Sequence, residues 1–435
     1  MNPYPPLPRR AALAALVCAA VLVACGGGIE ADDDHDHDAV TLDTAGRLVT
    51  TEHNATALRV HDLDSNTVEA TRQADNVPSA LYASPGGRYA LVMQRTQGLV
   101  QFVDGGIWQE DHGDHLHDYK QASKAVPWKL SGVRPTHYDV QAGKQAAIFM
   151  DGNATTTPAQ SAGVRLITEA SIAAGGTAAS LDLGFPIHGL AEPVDNKLLA
   201  VTRAADASDA LPTHLTLHQR EGASYRLDRQ LATRCSGMHG SASSGAYTVV
   251  GCVDGMLLVR HLSATTVDDG TQLGTALRVG ALAGHARAPG HFVGIATEGT
   301  APGPVTTRFH AVNGEAGAVA NFAPQGWDTG RVRRAHGFDR SGQRLFIVAD
   351  QGTLITAQRQ GGAWANLARV TGAIPTMPTA APWPVLTANG ARDEVYITDP
   401  VAKQLVVVNS FTGAVLARRD LGFTPSNAVW IGITR

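Results

Sequence analysis

The sequence predicts an all-β fold, a β-propeller, on two observations. A turn, strand, turn pattern returns about every 50 residues, and no amphipathic helical pattern interrupts its copies. Short β-branched strands punctuated by Gly, Pro and Asp at this period are how a four-stranded blade reads in one dimension. The copies fall at 45–49, 85–92, 143–149, 195–201, 244–250, 289–295, 341–348 and 392–397. Eight copies predict eight blades; seven is the runner-up, because the first copy is short and weak.

The last copy continues through 399–409 into 412–415 with the strand and turn grammar that looks like the propellers related to quinoprotein and surface-layer repeats. A WD40 protein is disfavoured by a single Trp-Asp dipeptide, Trp327-Asp328. The stretch 425–430 reads as an innermost strand whose partners come from residues 40–75, which closes the ring by joining the two chain ends. Closure of that kind pairs strand edges that an open sheet leaves exposed.

Ahead of the repeats the chain differs in kind. Arg9 and Arg10 precede an apolar run over 11–24 that is too short to span a bilayer as a mature helix, the pattern of a secretory signal peptide at 1–24. Leu22-Val23-Ala24-Cys25 resembles a bacterial lipobox, making Cys25 the lipidated first residue of the mature chain; the alternative is an ordinary signal with a chance cysteine. Residues 25–39 read as a lipid-anchored disordered tail carrying His35, Asp36, His37 and Asp38. Those side chains suit loose capture of a divalent cation, or serve only as a solubilising spacer. Residues 40–435 are then one propeller domain, and the expected location is the periplasm, tethered to a membrane through lipid alone.

Composition bounds the partners. With 35 Lys and Arg against 39 Asp and Glu, and no basic patch, nucleic-acid binding has no electrostatic support. Export and lipidation leave Cys235 and Cys252, an even pair in an oxidising compartment and seventeen residues apart, which predicts a disulfide between neighbouring strands.

Seventeen histidines are the strongest chemical signal. Besides the tail, an insertion at 108–119 holds His112, His115 and His117 among Glu110, Asp111, Asp114 and Asp118, without a lysine or arginine between them. Zinc takes four nitrogen or oxygen donors, so such a loop can surround an ion. A solvated acidic loop is the alternative. Aligning the repeats reveals a third group: His137, His188, His239, His285 and His336, at spacings of 51, 51, 46 and 51 residues, three of them followed by glycine. Equivalent positions of successive blades point to one channel, so these imidazoles are expected to converge near one mouth. Otherwise they are structural histidines, one per blade.

Together these features resemble the AztD-type zinc metallochaperones, the periplasmic propeller partners of zinc ABC importers. The resemblance implies a Zn2+ cargo and its transfer to the importer's solute-binding protein. Metal ligands at His112, His115 and His117, joined by channel residues such as His137, His188, His239 and His336, are what it implies for the site. The lipobox departs from a freely diffusing carrier. A monomer without enzymatic activity is expected. Two other readings stay open: a metal-dependent propeller hydrolase at the channel mouth, and an interaction scaffold with an incidental metal. Scarce thiolate and methionine disfavour copper(I), whereas copper(II) and nickel(II) satisfy the same donors.

Overall fold

A computed structural model describes residues 39–203, 211–299, 305–324, 327–328 and 330–435. The signal segment, Cys25 and the tail residues His35, Asp36, His37 and Asp38 lie outside the described residues.

The strands of the propeller pair antiparallel in runs of four, from an innermost strand outward, and the described residues form eight such groups. The groups that begin at Pro135–Gln141 and at Ala191–Val194 are joined into one eight-stranded sheet by a single parallel pair, Ser180 opposite Ser224. In the first group the innermost strand, Pro425–Ile431, comes from the C-terminus and pairs with Arg47–Glu52, with Val49 opposite Val429. The chain ends therefore close the ring by a shared ladder.

Alternation explains the packing. The second strand of each blade is buried on both faces, as in Gln145–Met150 and Arg344–Ala349, because it lies between two neighbouring blades as well as between two strands. The core is a series of inter-blade layers: Leu91 and Phe102 meet Ala146 and Ile148, and Tyr396 and Val407 meet Leu48 and Trp430. Burial of each such large apolar side chain contributes roughly 1.5–3 kcal/mol.

Two features depart from the plain repeat. A short helix, Glu169–Ala174, is started by a reciprocal Thr168 and Ser171 cap and ended by Gly175 in the left-handed conformation. The insertion expected to be a loop is instead a hairpin of Ile107–Asp111 and Leu116–Lys120. Trp108 stacks on Tyr119 at 4.9 Å and lies under the Arg88 guanidinium at 4.0 Å, which fixes the hairpin against the body. The expected disulfide joins Cys235 to Cys252. No described helix is long and apolar enough to cross a membrane.

A candidate metal centre at one mouth of the channel

Three blades contribute one imidazole each to a single point. His137 lies near the start of an innermost strand, whereas His188 and His239 sit in the connections just ahead of Ala191–Val194 and Ser241–Ser244. Their ring centroids are 5.0, 5.3 and 5.3 Å apart, and one nitrogen from each lies within 4.8 Å of the others. The Nε2 atoms of His137 and His188 are 3.4 Å apart. Two ligand nitrogens of a tetrahedral zinc with bonds of 2.0–2.1 Å stand about 3.3 Å apart, so this pair is already at coordinating distance.

Glycine makes the approach possible. Gly240 adopts φ +74°, and a Cβ there would meet the Gly280 carbonyl oxygen at 2.9 Å. A Cβ on Gly189 would lie 2.2 Å from Val201. The connection bearing His239 thus lies flat against neighbouring backbone, and the one bearing His188 against the Val201 and Phe149 side chains.

Hydrogen bonding sets the tautomers. His239 Nδ1 is 2.8 Å from the Gly280 carbonyl oxygen and His188 Nδ1 is 3.0 Å from Asp151 Oδ2. Both partners only accept, so each Nδ1 carries hydrogen and Nε2 is the nitrogen left to bind at the shared centre. Asp151 is held by Thr136 Oγ1 at 2.8 Å and Arg95 Nη2 at 2.9 Å as well. Burial acts to raise its carboxyl, but the bonds from His188, Thr136 and Arg95 outweigh it and leave the carboxyl below the usual range. Burial, aided by the neighbouring His188 and His239 rings, pushes His137 down to about 4, so its ring is neutral and able to bind metal near neutrality.

The other expected ligands lie elsewhere. His336 does not join the triad. It pairs with Ile347, the fourth residue of its neighbouring strand, whereas His137 pairs with Phe149, the fifth of the corresponding strand. A shift of one residue turns a side chain to the opposite face of a strand. Burial, with Arg333 nearby, pushes His336 down to about 3. His285 follows the strand Val279–Gly284 and packs near Phe338, at the far end of that strand.

His112, His115 and His117 gather on the hairpin, with ring centroids 5.2, 5.6 and 6.1 Å apart, and Tyr119 Oη lies 3.4 Å from His112 Nε2 and 3.3 Å from His117 Nδ1. This cluster and the triad do not share one coordination sphere. Trp108 and Glu110 line a cavity with Gly86 and Gly143, the turns at the finishing ends of innermost strands, while His137 stands near the starting end. Four residues of strand, about 13 Å, separate His137 from Gln141, which ends that strand ahead of the Gly143 turn. The acidic stretch also finds counter-charges from outside itself. Buried Asp118 is met by Arg435 and by the backbone N–H of Leu42.

Sequence reasoning missed Asp151, Thr136 and Arg95, which orient the triad. Thr136 and Arg95 have no counterpart in the other blades, and the aspartate recurs as Asp350 after Arg344–Ala349, where no triad forms, so no period marks them.

No family model matches the chain. The zinc chaperone AztD of Citrobacter koseri is 29% identical over 227 residues, 52% of this chain and 50% of that protein, so the match spans about half the relative's length. The crystal structure of Citrobacter koseri AztD superposes with a TM-score of 0.69 at 21% identity, covering 88% of this chain and 96% of that one. Apo AztD from Citrobacter koseri gives 0.70 at 20% identity, with 89% and 98% covered. Dihydro-heme d1 dehydrogenase NirN, in complex with DHE, gives 0.57 at 11% identity, with 90% and 76% covered, a likeness of fold alone. The chain is a β-propeller that resembles the AztD-type zinc chaperones, in sequence over part of its length and in fold over most of it.

Proposed function

We propose that this protein is a non-enzymatic zinc metallochaperone that holds the ion at His137, His188 and His239 and passes it to the solute-binding protein of a zinc ABC importer. One observation carries the reading: three imidazoles from three blades converge with Nε2 atoms of His137 and His188 3.4 Å apart, and two of the rings are locked by Nδ1–H donors. Three histidines leave a fourth position of a tetrahedral ion open. An open position lets an acceptor ligand enter before a histidine leaves, which avoids releasing a bare dication into water.

The hairpin histidines and the tail serve capture in this reading. Val40 pairs with His117, and His37 stands three residues before Val40 in sequence. Lipidation at Cys25 would keep the carrier at the membrane of the periplasm, beside the importer.

A hydrolase would need a carboxylate free to act as base at the open position. Asp151, which touches the triad, gives its Oδ2 to His188, Thr136 and Arg95 and keeps its Oδ1 buried away from water, and that favours holding over turnover. The scaffold reading offers no reason for the locked tautomers.

The test is zinc transfer measured against dissociation. Zinc-loaded protein should deliver to the acceptor faster than it loses zinc to a chelator. Replacing His137, His188 and His239 with alanine should abolish both loading and delivery. Transfer no faster than dissociation, or turnover of ester or phosphate substrates, would overturn the proposal.

A further inference from the structure

One layer further along the channel from the histidines, the same blades supply a different set of donors. Asp139 lies two residues beyond His137 on the same strand, hence on the same side and about 6.6 Å deeper. Glu192 stands on the next innermost strand and Ser241 and Ser243 on the one after. All four line a cavity of about 520 Å³ whose far wall includes His336.

Glu192 is 1% exposed, and its Oε1 reaches no hydrogen-bond partner; nor does Asp139 Oδ2. Ser241 donates to Asp139 Oδ1 at 3.3 Å, and the Ser241 and Ser243 hydroxyls also stand beside Glu192. Among the described residues no lysine or arginine pairs with either carboxylate. A buried carboxyl group and a half-buried one, both lining this cavity and each keeping a buried oxygen without a donor, carry a desolvation cost that a bound cation removes.

We propose that Asp139, Glu192, Ser241 and Ser243 form a second cation site in the central channel, separate from the histidine triad, that takes a hard divalent cation of the calcium class. Every donor is oxygen, which suits calcium and is a poor match for the nitrogen preference of zinc. Two carboxylates and two hydroxyls offer up to six oxygens, and the cavity has room for the waters that complete a shell of six to eight. The site would tie three adjacent blades together directly beneath the three histidines. It stands independently of the zinc reading, since none of its donors is a triad histidine.

Full-length, zinc-loaded protein freed of other metals is titrated with calcium chloride by calorimetry. The expected result is one equivalent of calcium taken up with zinc retained. In Asp139→Asn combined with Glu192→Gln calcium uptake should vanish while the zinc content stays as in the parent; both substitutions keep the side-chain shape. As a measurement on the unmodified chain, terbium(III) excited through tyrosine should luminesce, because Tyr138 lines the same cavity, and calcium should quench the signal by displacement. Three results would each overturn the proposal: no calcium uptake at millimolar concentration, uptake unchanged in the double variant, or displacement of the bound calcium by one further equivalent of zinc.

Discussion

His188 donates its Nδ1–H to Asp151 Oδ2 at 3.0 Å, and the same carboxylate oxygen takes Thr136 and Arg95, so one buried acid aims one ring of the candidate metal centre from behind. Carboxylates placed this way raise ligand basicity and fix ring rotation, and their loss typically lowers metal affinity 10- to 100-fold. Asp151→Asn should therefore weaken zinc binding by about that factor at unchanged stoichiometry, measured by competition with a fluorescent chelator. Unaltered affinity would show that the ring is aimed by packing alone.

The split between triad and hairpin gives opposite expectations for two sets of variants. His137→Ala, His188→Ala or His239→Ala should each cost the high-affinity zinc equivalent. His336→Ala should leave that equivalent in place, because its register sets the ring on the other face of its strand from the one His137 uses. Zinc content by elemental analysis after gel filtration decides it, and loss of zinc in the His336 variant would contradict the register argument.

Replacing His112, His115 and His117 together should preserve the zinc held at the triad and slow its exchange. Stopped-flow zinc transfer to an acceptor would show this as a reduced rate with unchanged final occupancy. A lost equivalent would instead make the hairpin the holding site.

Stability should fall in acid through histidines remote from the metal. His61, His218 and His261 are each held down to about 4, by burial first, and each ring bonds a threonine hydroxyl: Thr50, Thr216 and Thr248. Their folded values lie below the ordinary 6.5, so the unfolded chain takes up protons first as the pH drops. The stability they contribute is complete above about 6.5 and is lost toward 4, at about 1.4 kcal/mol per pKa unit for each group. Thermal melts of zinc-free protein from pH 8 to 4.5 should show the midpoint falling over that window, and His61→Asn should flatten the slope. A midpoint constant across the window would refute the assignment.

The disulfide supports the ligand segment. Cys235 stands four residues before His239, whose backbone N–H donates to the Gly251 carbonyl beside Cys252. Replacing both cysteines with serine should cost about 3 kcal/mol from the freed loop. Zinc affinity should fall while stoichiometry holds, as read from chemical denaturation and the same chelator competition.

The period of the turn signals made the propeller legible, and the parity of the remaining cysteines made the disulfide so, because both are properties of order along the chain. The histidine spacing was legible in part: 51 residues separate His137 from His188 and His188 from His239, and these do meet. The same spacing and the same following glycine mark His336, which does not. Spacing counts residues between blades, whereas a side chain's direction depends on its register within the blade, and one residue of register reverses it. Likewise the insertion at 108–119 announced a metal-binding composition but not its position. Which end of the channel it occupies follows from the direction in which the preceding strand, Leu99–Asp104, runs. Sequence by itself determined the repeating architecture and the kinds of donor present; only the tertiary structure decided which donors share a point, because alternating strands and a closed ring convert a position in the chain into a direction in space.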